Sequence, residues 1–196
     1  MKKSFRTIAL LVVLPALLAG CSTNTQGDDP SPVYLTCNFT LLPALKCVND
    51  ATLLQFQTTT LSSQLKGSAT AGSSGFLDTQ VESYTIVWTR VDGGKTASPT
   101  ETFGGNVIVV AGGRSTLSNY PFMSASALQQ PPLNQLFPFN GGVDRETGKS
   151  EIRQTGTVTW YGHTMSGQPV TSVPAVFDMT FAYCASTGRV EISRAH

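Results

Sequence analysis

The sequence predicts an all-β fold, an antiparallel sandwich of about seven to nine short strands with one or two helical turns. Three observations lead there. Charged residues are only 13% of the chain while small and turn-forming residues abound, turn signals recur at fairly regular spacing, and no stretch carries the period of a long helix.

Residues 33–39 read as the first strand and 51–58 (ATLLQFQT) as the second, with Pro43 and the pair Asn49-Asp50 between them. The tract GSATAGSSG, residues 67–75, is a loop. The strongest strand of the first half is VESYTIVWTRV, residues 81–91, rich in β-branched and aromatic residues. Its period of two puts Tyr84, Ile86 and Trp88 on one face, which is expected in the core.

Asp92-Gly93-Gly94-Lys95 supplies a hairpin turn, 106–111 a further strand, Gly112-Gly113 another turn, and 115–122 the next strand. The character changes in SASALQQPPLNQLF, residues 124–137, which has helix formers and no β-branching. Pro131 and Pro132 forbid one long helix but fit the start of a second short one. A polar loop between Asn140-Gly141-Gly142 and Thr147-Gly148 precedes a strand at 151–162, with Val158 and Trp160 facing in. The last hairpin turns through 163–167 and returns along 168–183, where Phe177, Met179, Phe181 and Tyr183 alternate with Val176, Asp178, Thr180 and Ala182. This count of strands without an internal repeat points to a sandwich of immunoglobulin-like type, with a small barrel as the alternative. The strands are too few, and lack the aromatic girdles, for a transmembrane barrel.

The N-terminus carries a different message. Lys2, Lys3 and Arg6 precede an apolar run over residues 8–18 that is too short for a bilayer span of about 20 residues. It ends in Leu18-Ala19-Gly20-Cys21, which resembles the bacterial lipobox. That resemblance implies cleavage before Cys21 and acylation of its thiol, an anchor that two or three acyl chains make effectively permanent. In enteric-type sorting Ser22 implies the outer membrane, if the host is diderm. The chain then divides into a signal peptide at 1–20, a lipidated flexible tether at 21–32 (STNTQGDDPSP after the cysteine) and one β-sandwich domain at 33–196.

Without its leader the chain keeps ten cations against twelve acids, a balance that attracts no nucleic acid. With Cys21 lipidated, Cys37, Cys47 and Cys184 remain, and an oxidising compartment lets two of them pair. The preferred expectation joins Cys184, in the last strand, to Cys37 or Cys47 near the first. Three reduced thiols are the alternative.

Candidate chemistry is sparse. His163 sits in a turn and His196 at the C-terminus, neither with a partner at metal-ligand spacing. Gly72-Ser73-Ser74-Gly75 lies in a flexible tract and makes no nucleophile elbow. Asp144, Glu146 and Glu151, with Gly148 as a bend, loosely resemble a calcium loop, but Arg145 and Lys149 oppose a cation there. A charged hairpin tip is the favoured reading. The Gly-Gly pairs at 93, 104, 112 and 141 serve turns, since none precedes a helix with Lys-Ser or Lys-Thr. The aromatics Trp88, Trp160, Phe177 and Phe181 belong inside by their alternation.

The stretch 47–183 resembles a group of uncharacterised lipoproteins from environmental bacteria, through SYTIVWTRVDGGK, VVAGGRSTL, PPLNQLFPFNGG and TGTVTWYGHTMSGQPV. The last piece is also similar to the final hairpin of bacterial immunoglobulin-like modules. These motifs describe turns and core positions, so the resemblance implies a sandwich and no activity. The leading expectation is a membrane-anchored envelope lipoprotein serving as a non-enzymatic binding or structural module, without a cofactor. It would contact an envelope protein or polymer through the loop 67–78 and the stretch 129–139, with Leu133, Leu136 and Phe137 as the contact surface; the alternative, of at least equal weight, is that these three cap the open end of the sandwich. One rival is an envelope hydrolase or metal-binding protein that gathers Asp144, Glu151 and His163. Another is an accessory subunit of a secretion or surface-appendage complex.

Overall fold

The computed structural model describes residues 31–40, 45–50, 52–66 and 75–184. Cys21, the expected signal peptide, the tether up to residue 30, most of the loop 67–75 and His196 lie outside the described residues.

The strands are β1 (Val33–Thr40), β2 (Leu45–Cys47), β3 (Leu54–Gln55), β4 (Thr58–Leu65), β5 (Thr79–Arg90), β6 (Glu101–Val109), β7 (Arg114–Ser118), β8 (Pro121–Met123), β9 (Glu151–Thr164), β10 (Pro169–Thr171) and β11 (Ala175–Ala182). One sheet has the order β1-β4-β7 and the other β2-β11-β9-β5-β6, with β10 on β9 and a small β3-β8 ribbon at the side. In immunoglobulin lettering β1, β4, β5, β6, β7, β9 and β11 are A, B, C, C′, E, F and G. The sheets then read A-B-E and G-F-C-C′, with every one of these neighbours antiparallel. This is the immunoglobulin-like sandwich with its fourth strand beside C instead of beside E.

The long strands behave as their alternation dictates. Tyr84, Ile86 and Trp88 from β5, Val158 and Trp160 from β9, and Phe177, Met179 and Phe181 from β11 are all buried. Phe56 and Phe122 fill the space between the sheets, each within 5.5 Å of the Phe177 ring centroid. Gly156 on β9 is what lets Phe177 lie there, because a Cβ at that position would stand 2.6 Å from its ring.

Four departures from the sequence reading have physical causes. The strand expected at 51–58 shrinks to the two-residue β3, and the long strand of this region is TTTLSSQL at β4, which the sequence hides because its buried positions beside Leu61 include the polar Thr59 and Ser63. β6 begins at Glu101, five residues earlier than expected, since Gly104 and Gly105 run within the strand; Gly105 lets the Trp160 ring and the Ser83 amide approach closely. The last strand breaks into β10 and β11 around Pro174, which lacks an N–H for the ladder. Finally, β2 pairs parallel to β11, so the chain crosses from one sheet to the other after β1.

The residues 124–137 form α1 (Ala125–Leu128), capped by Ser124 Oγ on the Ala127 N–H, and a 3-10 turn (Leu133–Leu136) preceded by Pro132. Among the described residues no helix is long and apolar enough to cross a membrane.

Candidate functional site

The two ends of the sandwich hold the candidate surfaces. One, the proximal end, is where the chain arrives at Ser31; the other, the distal end, carries the loop after β5 and the loop before β9.

At the distal end β5 finishes on Arg90, whose buried guanidinium is shared by two buried carboxylates. Arg90 donates from Nε and Nη2 to Asp92 at 2.8 and 2.9 Å, from Nη2 to Asp144 Oδ2 at 2.7 Å, and from Nη1 to the Thr96 carbonyl at 3.0 Å. All three side chains are at most 1% exposed. Burial alone would raise both carboxyls and lower the guanidinium. The hydrogen bonds and opposite charges win: Asp92 is held down to about 2 by Arg90 and the Arg153 and Gly94 amides. Asp144 is also lowered, by Arg90 and by Thr147, and Arg90 is raised in return. Asp144 Oδ1 accepts no bond among the described residues, while Oδ2 also takes the Thr147 amide and hydroxyl. Glu146 accepts from the Thr96 hydroxyl and from the Lys95 and Thr96 amides, which lowers its carboxyl too.

These contacts decide the calcium-loop reading. Asp144 and Glu146 already serve protein donors, and Glu151 is exposed at the start of β9. The reading as an exposed charged tip also needs correction, since Asp144 is fully buried. Burial succeeds because Arg90 arrives on the end of β5 at the right height, a pairing 54 residues apart that no local motif announces.

The rival cluster does not assemble. Glu151 and His163 lie at opposite ends of β9, about 40 Å apart for twelve residues of extended chain. His163 Nδ1 instead faces Glu82 Oε1 at 3.4 Å, both side chains more than a third exposed. Among the described residues no group of three or more His, Cys, Asp or Glu could hold a metal ion.

The expected contact residues are misplaced as well. Leu133 and Leu136 are fully buried and Phe137 is 8% exposed; they cap the core, because the 3-10 turn directs its apolar side inward. The exposed ring of this stretch is Phe139, 79% accessible and tilted against Phe137 at 5.3 Å, with Phe137 edge-on to Tyr183 at 5.9 Å. The loop that carries Phe139 is fixed by Asn140 Nδ2 donating to the Asn134 carbonyl and by the Gly141 and Gly142 amides donating back to Pro138 and Phe137. Tyr183, which continues the alternation of Phe177 and Phe181 just past the end of β11, is 39% exposed.

Of the two pairings open to Cys184, the structure has Cys47–Cys184, with Cα atoms 5.3 Å apart; Cys37 is buried and free. Cys47 ends β2 and Cys184 follows β11, so the parallel ladder sets the sulfurs side by side. Asn49 reinforces the junction by donating to the Cys184 carbonyl and accepting its amide. Closing 137 residues removes about 5 kcal/mol of unfolded-chain entropy in the simple loop model. Burial pushes the Cys37 thiol up to about 11, which makes it a poor nucleophile.

No family model and no curated protein matches the chain. Among solved structures it is similar to the X-ray structure of Northeast Structural Genomics Consortium target SoR45, over 86% of this chain and 96% of that one, at 10% identity and a TM-score of 0.37. A likeness at that level carries no argument.

Proposed function

We propose that this chain is a membrane-anchored envelope lipoprotein, acylated at Cys21, whose sandwich acts as a non-enzymatic binding or structural module. The observation that carries the reading is the basic, apolar leader ending in Leu18-Ala19-Gly20-Cys21. The Cys47–Cys184 bond supports it, because such bonds persist in oxidising compartments outside the cytoplasm. Phe139 supports the contact role. A ring held in place by its own loop loses little freedom on binding, and buried aromatics dominate interface energies.

The partner is an envelope protein or an extracellular polymer met by the distal end. The test begins with metabolic labelling by a clickable fatty acid. The native chain is expected to carry label in the membrane fraction, and Cys21→Ser to lose both label and fractionation. A photo-crosslinking residue in place of Phe139 is then expected to capture a reproducible protein or glycan in the envelope. An unlabelled native chain overturns the anchor. Failure of position 139 to capture anything, with no loss of binding in Phe139→Ser, overturns the contact role and returns attention to ligands and substrates.

A further inference from the structure

The proximal end leaves large apolar side chains outside while fastening its backbone tightly. Phe76 is 69% exposed in the 3-10 turn Gly75–Leu77, Val110 is 59% exposed just after β6, and Met165 is 43% exposed just after β9. Hydrogen bonds tie their three turns together. The Ser166 amide donates to the Phe76 carbonyl at 3.0 Å, the Met165 amide to the Asp78 carbonyl at 2.9 Å, and the Ala111 amide to Asp78 Oδ1 at 2.9 Å. A neighbouring pair of bonds joins this rim to the arriving chain: Lys66 N–H donates to the Pro32 carbonyl and Ser63 N–H to the Gly113 carbonyl. Three apolar side chains thus project from one preorganised end, with the exposed Arg114 at the start of β7 on the same rim and Lys66, just past β4, holding its ammonium over the Tyr34 ring.

Chain length decides what this end faces. Ser31 is ten Cα–Cα steps beyond Cys21, and fully extended they reach at most about 35 Å. The 14 residues of β9 run the height of the sandwich, roughly 45 Å. If Cys21 is acylated, the distal end cannot meet the bilayer head-on, because the proximal end would then stand beyond the reach of the anchor. The proximal end can meet it.

We propose that Phe76, Val110 and Met165 form a membrane-facing rim that seats in the interfacial layer of the bilayer holding the Cys21 acyl chains. The inference rests on the lipoprotein reading and adds an orientation to it. Aromatic and apolar side chains are favoured at the interface, and cations beside them suit anionic headgroups. The affinity of the rim by itself can be weak, since a short anchor raises its effective concentration at the surface. Seated this way, the domain stands upright and turns Phe139 away from the membrane.

The experiment uses the natively processed, full-length chain reconstituted in phosphatidylcholine–phosphatidylglycerol vesicles with brominated acyl chains. Phe76→Trp reports from the rim, and Val91→Trp, at an exposed distal position, is the control. The native Trp88 and Trp160 are buried and give a common background that the parent chain measures. The emission added by Phe76→Trp is expected to shift to the blue and to be quenched by bromine, while that added by Val91→Trp is not. Adding Val110→Ser and Met165→Ser to Phe76→Trp is expected to reduce the quenching, with matching melting curves as the check on folding. Equal quenching at both positions, or none at either, overturns the rim. Crosslinked dimers through the rim without quenching overturn it in favour of a second copy. Intact mass separates these failures from that of the premise: an acylated Cys21 leaves the anchor standing, whereas a bare Cys21 removes anchor and rim together.

Discussion

The distal and proximal ends of this sandwich are held by different means. At the distal end side chains do the fastening: Arg90 ties the turn after β5 to the loop before β9 through Asp92 and Asp144, and Glu146 ties that loop to Lys95 and Thr96. At the proximal end the backbone does most of it, through hydrogen bonds from the amides of one turn to the carbonyls of another, with the Asp78 carboxylate also accepting from the Ala111 amide. The difference determines what each end shows to its surroundings. Side chains used as fasteners are unavailable for contact, so Arg90, Asp92 and Asp144 are withdrawn from the distal surface, where Phe139 stands out beside the exposed Val91 and Val143, while the proximal end presents Phe76, Val110 and Met165 together.

The largest effect should come from removing the centre of the distal network. Arg90→Ala leaves Asp92 and Asp144 buried without their counter-charge, and is expected to lower stability by about 3–5 kcal/mol in urea unfolding. Arg90→Lys should recover only part, because an ammonium cannot serve both oxygens of Asp92 and Asp144 with the same planar fork. A loss below about 1 kcal/mol for Arg90→Ala would mean that water reaches the carboxylates and that the distal loops are fastened by something else.

A smaller effect is expected in acid, and it should also be distal. Asp92 titrates near 2 in the folded chain against 3.8 for an ordinary aspartate, and Asp144 is shifted in the same direction. The unfolded chain therefore binds protons first as pH falls. The stabilisation is full above 3.8, drains through the interval and is gone below about 2. For Asp92 alone it amounts to about 2 kcal/mol. Urea unfolding of the native chain and of Asp92→Asn, followed from pH 6 to pH 2, should converge at the acid end. Parallel curves would show that Asp92 gains nothing from its partners.

How far the sequence revealed this arrangement depends on how local each signal was. The C, F and G strands were legible because Tyr84, Ile86 and Trp88, Val158 and Trp160, and Phe177, Met179 and Phe181 repeat every second residue and bury that face, whereas C′ was legible only in part because Gly104 and Gly105 read as a turn. β4 was not, since its inward positions include Thr59 and Ser63. Of the candidate sites, Leu133, Leu136 and Phe137 were legible as part of a short helical stretch, but the sequence left contact surface and cap both open, because periodicity does not say which element covers a short turn; the structure makes them the cap. The Arg90–Asp144 pair and the convergence of Phe76, Val110 and Met165 depend on turns far apart in sequence meeting at one end of the sheets. Only topology brings them together. Exposed Phe139, two residues beyond Phe137, carries no such signal, because residues two apart share a face of an extended chain; it is the 3-10 turn Pro138–Asn140 that turns its ring outward.

The smallest expected effect is the one that separates the two ends most sharply. Phe76, Val110 and Met165 lie mostly outside the core, and their turns are held by backbone groups that a side-chain change leaves intact. Phe76→Ser, Val110→Ser and Met165→Ser should each change stability by no more than about 0.5 kcal/mol. Leu133→Ala, which hollows the fully buried cap at the other end, should cost about 2–5 kcal/mol in the same assay. Such a contrast would mean that folding does not require large apolar side chains at the rim, so their presence there needs another cause. A loss of more than about 1 kcal/mol in any of the three serine variants would instead place that side chain among the fastenings and weaken the case for a surface kept for the membrane.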